Sequence, residues 1–458
     1  PCGTLFPYTT LFRSGFVELT PLEIALLDSP PMRRLRRIKQ LAMCDEVYPG
    51  ATHTRFEHSI GVMHIASRMF DSIFKDGKGN ELFLRELGYD TSRKQYWKKA
   101  IRLAALLHDV GHPPFSHAGE GLLPDGKKHE DYTVAIIENI LYELINKPKL
   151  NNCEVKEGGF TNDVVKPSII SAFFKDKSRK VELGELLPLS PLVSSQIDAD
   201  RCDYLLRDSH HIGVNYGKYD LERIIETITL GKDPRSETGD YAIAFEEGGR
   251  HAIEGLLIAR YMMFLQVYLH HTRYSYDYHL NNALKYILLN ETGSIQYPGC
   301  DTKDDINSYL EWDDHAVNVL FKIHINNKDI SAIIERKHDY MCWSTNPTPG
   351  GGQETFDDCV TKREAICSKI KSLGVEPRTA SIKNQIWEKY VYTKNEKHII
   401  YIMLKSDIKE RMLTAINKRS PIVEALQPSA FLRLYVPRDN EFDVVDLIKG
   451  EHDGDEAH

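Results

Sequence analysis

His108 and Asp109 are adjacent, and they stand where an apolar run, Ile101 to Leu107, gives way to Val110-Gly111-His112-Pro113-Pro114-Phe115-Ser116-His117. The run reads as a buried helix. Gly111, Pro113 and Pro114 stop it, because glycine loosens the backbone and proline lacks the N–H that a helix uses. Imidazole offers a neutral nitrogen and carboxylate a hard oxygen, a donor mix that suits Zn, Fe or Mn. A His-Asp pair at a helix end is also a common dipeptide, so by itself it leaves an ordinary packed turn open. Other acids and bases recur along the chain. His58 and Arg55 lie three apart and near one helical face, a metal ligand beside a cation, as a phosphate site needs. His129 and Glu130 open a later helix. Asp200, Tyr204 and Asp208 fall at i, i+4 and i+8 and so line one helix face, with Arg201 flanking them. Buried carboxylates on such a face are costly unless paired or metal-bound. Arg260, Phe264 and Tyr268 share a face too, although an aromatic stripe at that spacing fits a plain core equally well. His53 and His64 read as packed core histidines.

Helices must position these groups. Thr20 is a candidate N-cap, with Pro21 at the first helical position and Glu23 in the first turn. Asp28-Ser29-Pro30-Pro31 breaks that helix. Met32, Leu35, Ile38 and Leu41 then mark the apolar face of a helix over 32–41, with Arg33, Arg34, Arg36, Arg37 and Lys39 on its solvated side. The pattern further predicts helices over 53–74, 97–108, 129–145, 166–174, 192–211 and, as one or two pieces, 255–289. After residue 296 it changes. Short helices are expected over 301–324, a Pro/Gly loop over 344–353, strands over 397–404 and 431–436, and a helix over 407–417.

The 458 residues are 41% hydrophobic and 27% charged, enough for a large core and two domains. A net charge of −8 argues against a general nucleic-acid binder, so an anionic substrate must meet a local basic pocket. Eight cysteines without a CxxC pair point to reduced cytoplasmic thiols rather than a disulfide framework. No apolar run is long enough to span a membrane, and no segment has a signal-peptide layout. Thr4 to Ser14 reads as the translation of a short-read sequencing adapter. Residues 1–14 are therefore expected to stand apart from the fold, as an artefact that replaces part of a natural N-terminal segment.

The blocks RRIKQL, YPGATHTRFEHSIGV, HDVGHPPFSH and DADRCDYLLRDSHHIG, with the run from Arg260 to Tyr268, resemble the HD-domain phosphohydrolases, and within them the dNTP triphosphohydrolase branch. The resemblance spans roughly residues 16 to 290. It implies a mainly α fold: an all-helical HD-domain core over 15–295, a smaller α+β C-terminal lobe over 296–450, and an acidic tail over 451–458. It implies hydrolysis of dNTPs to deoxynucleoside and triphosphate. His58, His108, Asp109 and Asp200 match the metal ligands, for a Mn, Fe, Zn, Co or Ni ion, with Mg accompanying the triphosphate. His112, His129 and Glu130 match catalytic positions. Arg55, His117, Arg201, Tyr204 and Arg260 match contacts to the triphosphate. Gln40 and Asp208 match residues that hold the sugar 3′-hydroxyl, and Leu41 and Tyr268 those that close the space of a ribose 2′-hydroxyl. Asp28 and Arg36 match positions that bind a nucleotide activator, while Arg33 stands where a glutamine is used. The partners so implied are a nucleotide substrate, a nucleotide activator and further copies of the chain, as dimer or tetramer, with no membrane. An HD phosphohydrolase of another nucleotide phosphate ester, and an inactive metal-binding nucleotide sensor, are the alternatives.

Overall fold

Thr20 caps the first helix, α1 (Pro21–Leu27): its hydroxyl accepts from the Glu23 N–H at 3.3 Å, and the Glu23 carboxylate accepts from the Thr20 N–H at 2.8 Å. Such reciprocal pairing fixes a helix start. The structure, a computed structural model, describes residues 5–7, 16–151, 164–175, 182–236, 240–345, 356–383, 399–426 and 430–449. Strand β1 (Leu5–Pro7) pairs antiparallel with β2 (Phe16–Glu18), against the expectation that residues 1–14 stand wholly apart. The remainder of that stretch lies outside the described residues.

Residues 32–41 do not form one helix. A helical turn at Pro30–Arg34 tightens into a 3-10 turn at Leu35–Arg37, and Ile38 is extended. The Gln40 N–H then reaches the His53 carbonyl, and the Arg55 N–H the Ile38 carbonyl, both at 3.0 Å. These long-range bonds outweigh the helical period. Met32, Leu35 and Ile38 are buried as expected, but so is Arg34, which donates to the carbonyls of Trp312 and His112 at 2.8 Å each. Arg33 and Arg36 are exposed.

The core rests on α2 (Arg55–Ile73), α3 (Lys94–Leu107), α4 (His129–Ala135) and α5 (Ala199–Ile212). Helices α3 and α5 both pack on α2 and bury Met63, Ile65, Trp97, Ile101, Cys202 and Leu205. Arg102 of α3 forks onto the Glu23 carboxylate at 2.7 and 2.8 Å, tying α1 to this core. The helix expected over 129–145 is interrupted: α4 runs into a π turn at Ile136–Ile140, where the Leu141 N–H reaches the Ile136 carbonyl at 2.9 Å. A hairpin that no helical pattern announced, β3 (Ile228–Lys232) and β4 (Tyr241–Glu246), follows α5. Then come α6 (Arg250–Met263), a π turn at Phe264–Tyr268, and α7 (His271–Thr292).

Helices α8 (Lys303–Leu310), α9 (Asp314–Ile323) and α10 (Lys328–Ile334) lie beyond the expected domain boundary at 295/296, yet Tyr297, Ile306, Tyr309, Phe321 and Ile330 belong to the main core. The packing changes later, at β5 (Tyr340–Ser344). Next in the chain are α11 (Phe356–Ser372), β6 (Arg378–Lys383), β7 (Tyr401–Met403), β8 (Thr414–Ala415), β9 (Ala430–Val436) and α12 (Glu441–Lys449). A sheet ordered β5-β9-β6 has its own small core of Ile366, Ile370, Leu434, Val436 and Val444. Strand β7 pairs parallel with β4 and antiparallel with β8, which turns the hairpin into a four-stranded sheet. The helix expected over 407–417 is absent. That segment is a series of turns around β8, because Ile416 donates to the Ile400 carbonyl at 2.9 Å and the buried Leu413 faces the hairpin. The mainly α architecture with a smaller strand-containing C-terminal part is as expected. The loop from 346 and the tail over 451–458 lie outside the described residues. Among the described residues, no single helix is long and apolar enough to cross a membrane.

Candidate active site

His58 sits one turn inside α2, His108 and Asp109 just past the end of α3, and Asp200 in the first turn of α5. Ligand atoms of His58, His108 and Asp109 lie within 4.8 Å of one another. Asp200 Oδ1 is 3.0 Å from His58 Nε2 and 3.7 Å from His108 Nε2. The other ring nitrogens fix the tautomers. His108 Nδ1 lies 2.8 Å from the Ala105 carbonyl, which can only accept, and His58 Nδ1 lies 2.8 Å from Asp203 Oδ2. Both protons therefore sit on Nδ1. Each Nε2 is left with a lone pair, buried and without a hydrogen bond, aimed among carboxylate oxygens. Lone pairs facing anions in a buried site repel unless a cation lies between them, so the four residues fit a divalent ion. Burial works to lower the His58 pKa, but Asp200, Asp203 and Asp109 outweigh it and push it up to about 10. Asp109 is held well below the usual carboxylate range; burial opposes this, while Arg55, His108 and His112 enforce it.

Behind His58 stands a pair that residue spacing did not single out. Arg207 forks onto Asp203 at 2.7 and 2.9 Å, and both are buried. Gly61 makes room for them: a Cβ there would fall 2.0 Å from Asp203 Oδ1. Arg55, beside the ligands, is held by Asp109 and by the Ser116 hydroxyl at 2.7 Å. Ser116 and Phe115 both have positive φ, 57° and 58°. Asp314 of α9 braces this strained turn by accepting from the Phe115 N–H at 2.7 Å and the Lys39 N–H at 2.9 Å. Burial pushes its carboxyl up to about 6.

His112, His117 and His129 gather next to Asp109. His112 Nε2 is 3.3 Å from Asp109 Oδ1, and its ring stacks on His129 at 3.9 Å and 17°. Gly111 permits the approach, since a Cβ would meet the His129 carbonyl at 2.3 Å. Glu120, also unannounced by spacing, accepts from His129 with one oxygen and from His117 at 2.8 Å with the other. Donors of these four residues lie within 4.8 Å of one another, but stacked imidazoles direct their in-plane lone pairs side by side rather than at one point. A proton relay suits this group better than an ion. Burial and Arg55 push His112 well down. Burial also works against His129, yet Glu120 and Glu130 raise it. Glu130 is at the rim, 3.4 Å from His129 Nδ1.

The remaining expected contacts flank this centre. Tyr204 is edge-on to Tyr268 at 6.1 Å, and the Tyr268 hydroxyl donates to Asp208 Oδ2 at 2.6 Å, so the Asp200–Tyr204–Asp208 face holds together. Arg260 and Gln40 are buried, and Leu41 packs against the core. Arg201 pairs with its own N-cap, Asp198. His53 is no simple core histidine: its Nε2 lies 2.7 Å from Asp208 Oδ1.

Residues 55–208 match the HD domain and residues 219–338 the HD associated region. The chain carries an HD domain followed by an HD associated region. Among curated relatives, a Methanocaldococcus jannaschii protein of uncharacterised role is 29% identical over 92% of this chain and 77% of its own length. The uncharacterised Bacillus subtilis protein YwfO is 37% identical, over 54% of this chain and 47% of its own. Human deoxynucleoside triphosphate triphosphohydrolase SAMHD1 is 32% identical, over 46% of this chain but only 34% of its own. A hypothetical protein from Aquifex aeolicus superposes with TM-score 0.70 at 28% identity, covering 97% of this chain and 99% of that one. A Bacteroides thetaiotaomicron phosphohydrolase shares the fold at TM-score 0.67 and 23% identity over 95% of this chain and 99% of that one. The β3–β4 hairpin and α8–α10 fall inside the HD associated region.

Proposed function

We propose that this HD-domain protein hydrolyses deoxynucleoside triphosphates to deoxynucleoside and triphosphate. The observation that carries the proposal is the pair of buried Nε2 lone pairs of His58 and His108, turned onto Asp109 and Asp200 with the Asp208–Tyr268 pair on the same face of α5. A divalent ion bound there would activate a water and polarise a phosphoryl oxygen. Arg55, Arg260, Tyr204 and His117 supply cations and donors for the triphosphate. Arg201 joins them if the triphosphate competes with Asp198 for its guanidinium. His129, whose protonated form Glu120 favours, gives a proton to the leaving oxygen, and His112, 3.3 Å from Asp109, is the second acid–base group of the site. Asp208 and Gln40 hold the sugar 3′-hydroxyl. Leu41 and Tyr268 leave a 2′-hydroxyl without a partner, which disfavours NTPs.

The engagement of Arg201 by Asp198 favours a second substrate class, a nucleotide ester with fewer phosphates to neutralise. Incubation with each dNTP, alone and with a second dNTP as activator, followed by chromatography, separates the two. Deoxynucleoside and triphosphate in equal amounts support the proposal. Monophosphate and pyrophosphate, or turnover of monophosphates only, would sink it.

A further inference from the structure

The His53 ring is buried, and its contact with Asp208 leaves that carboxylate little freedom. His53 Nε2 lies 2.7 Å from Oδ1 while the Tyr268 hydroxyl donates to Oδ2 at 2.6 Å. Asp208 is 1% exposed. A carboxylate only accepts, which puts the His53 proton on Nε2. With one donor on each oxygen the carboxylate plane is set, whereas an aspartate terminal torsion is otherwise broad. The opposite face of His53 stacks on His211 at 4.5 Å and 16°. His211 Nε2 lies 3.5 Å from Glu57, and Glu57 lies 3.3 Å from Arg207, which forks onto the Asp203 that holds His58. One chain of contacts thus runs from Asp208 to a metal-ligand candidate.

We infer that His53 is a specificity-determining positioning residue: it orients Asp208 so that a remaining carboxylate lone pair accepts from the 3′-hydroxyl of the substrate sugar. The inference rests on the activity proposed above. A carboxylate has about four acceptor sites. His53 and Tyr268 occupy two of them and thereby select which direction stays open.

The test compares wild type, His53→Ala and His53→Gln on dGTP and on 2′,3′-dideoxy-GTP, which lacks the hydroxyl. Wild type should prefer dGTP. His53→Ala should lose about tenfold of that preference, the worth of one hydrogen bond to a charged group, with the change in KM rather than kcat. His53→Gln keeps an N–H donor and should recover most of it. If His53→Ala does not fold, His53→Met, which fills the volume without a donor, takes its place. A folded donor-less variant with unchanged preference would overturn the inference while the activity stands. Wild type that leaves dGTP intact would instead remove the activity itself.

Discussion

Asp203 is placed to decide how well His58 serves as a ligand. It fixes the His58 tautomer through Nδ1 and is itself fixed by Arg207. Partners of this kind usually matter by about 10- to 100-fold in metal affinity. Asp203→Asn should therefore weaken metal retention by about that factor, measured as bound Mn or Zn after competition with a chelator, while His108→Ala should abolish activity. Glu120 offers a second residue-scale prediction. His129 is raised because Glu120 and Glu130 outweigh its burial, so its protonated form persists as pH rises past 6.5. In Glu120→Gln burial wins and the pKa falls. The basic limb of the kcat/KM profile should move to lower pH, and kcat should drop, by up to the roughly 10²- to 10⁴-fold that a positioned proton donor contributes. An unshifted profile would show that His129 does not donate the proton.

At the scale of elements, the site depends on helices that come unusually close. Helices α2 and α5 meet at Gly61, where an added methyl would collide with Asp203 and Arg207. Gly61→Ala should cost about 1–3 kcal/mol, the usual price of overpacking, and should lower metal retention as well, because the displaced carboxylate is the one on His58. Denaturant melts and metal content check both parts. Asp314 joins α9 to the strained turn after the His-Asp pair. Asp314→Ala leaves the Phe115 N–H buried without its acceptor, at about 1–3 kcal/mol, removes the acceptor of the part-buried Lys39 N–H, and should also loosen Ser116 from Arg55. A variant as stable as wild type would mean that water replaces the carboxylate.

Over the whole molecule, the C-terminal sheet meets the core along a ladder of charge. His279 of α7 bonds Asp329 at 2.8 Å and lies 3.4 Å from Asp339, which in turn takes Arg378 of β6 at 3.1 Å. Burial lowers the His279 pKa, but the two aspartates raise it above 6.5 overall. A raised histidine contributes stability that is complete below its unfolded pKa and is lost as pH rises through the folded value. The melting temperature of wild type should therefore exceed that of His279→Gln most near pH 6, and the gap should close at higher pH. A gap that is constant with pH would assign the effect to packing.

Local sequence determined much of the HD-domain half of this protein. Helix periods and stop signals place α2 and α3 within about three residues of their observed ends, because amphipathic faces and Gly/Pro breaks act over one or two turns, whereas α5 starts seven residues later than expected, after its N-cap Asp198. They also put Asp200, Tyr204 and Asp208 on one face, and the His-Asp pair at the close of α3. Tertiary structure decided the rest. Residues 32–41 abandon their helical period because the backbone of 38–40 finds partners at 53–55. Asp314 and His53 carry no local signal, since their partners lie 155 to 275 positions away; Asp203 with Arg207 and Glu120 with His117 are local pairs whose roles come only from the tertiary contacts to His58 and His129. The strands of residues 401–415 take their pairing from a hairpin more than 150 positions earlier, so no pattern within that segment could specify it.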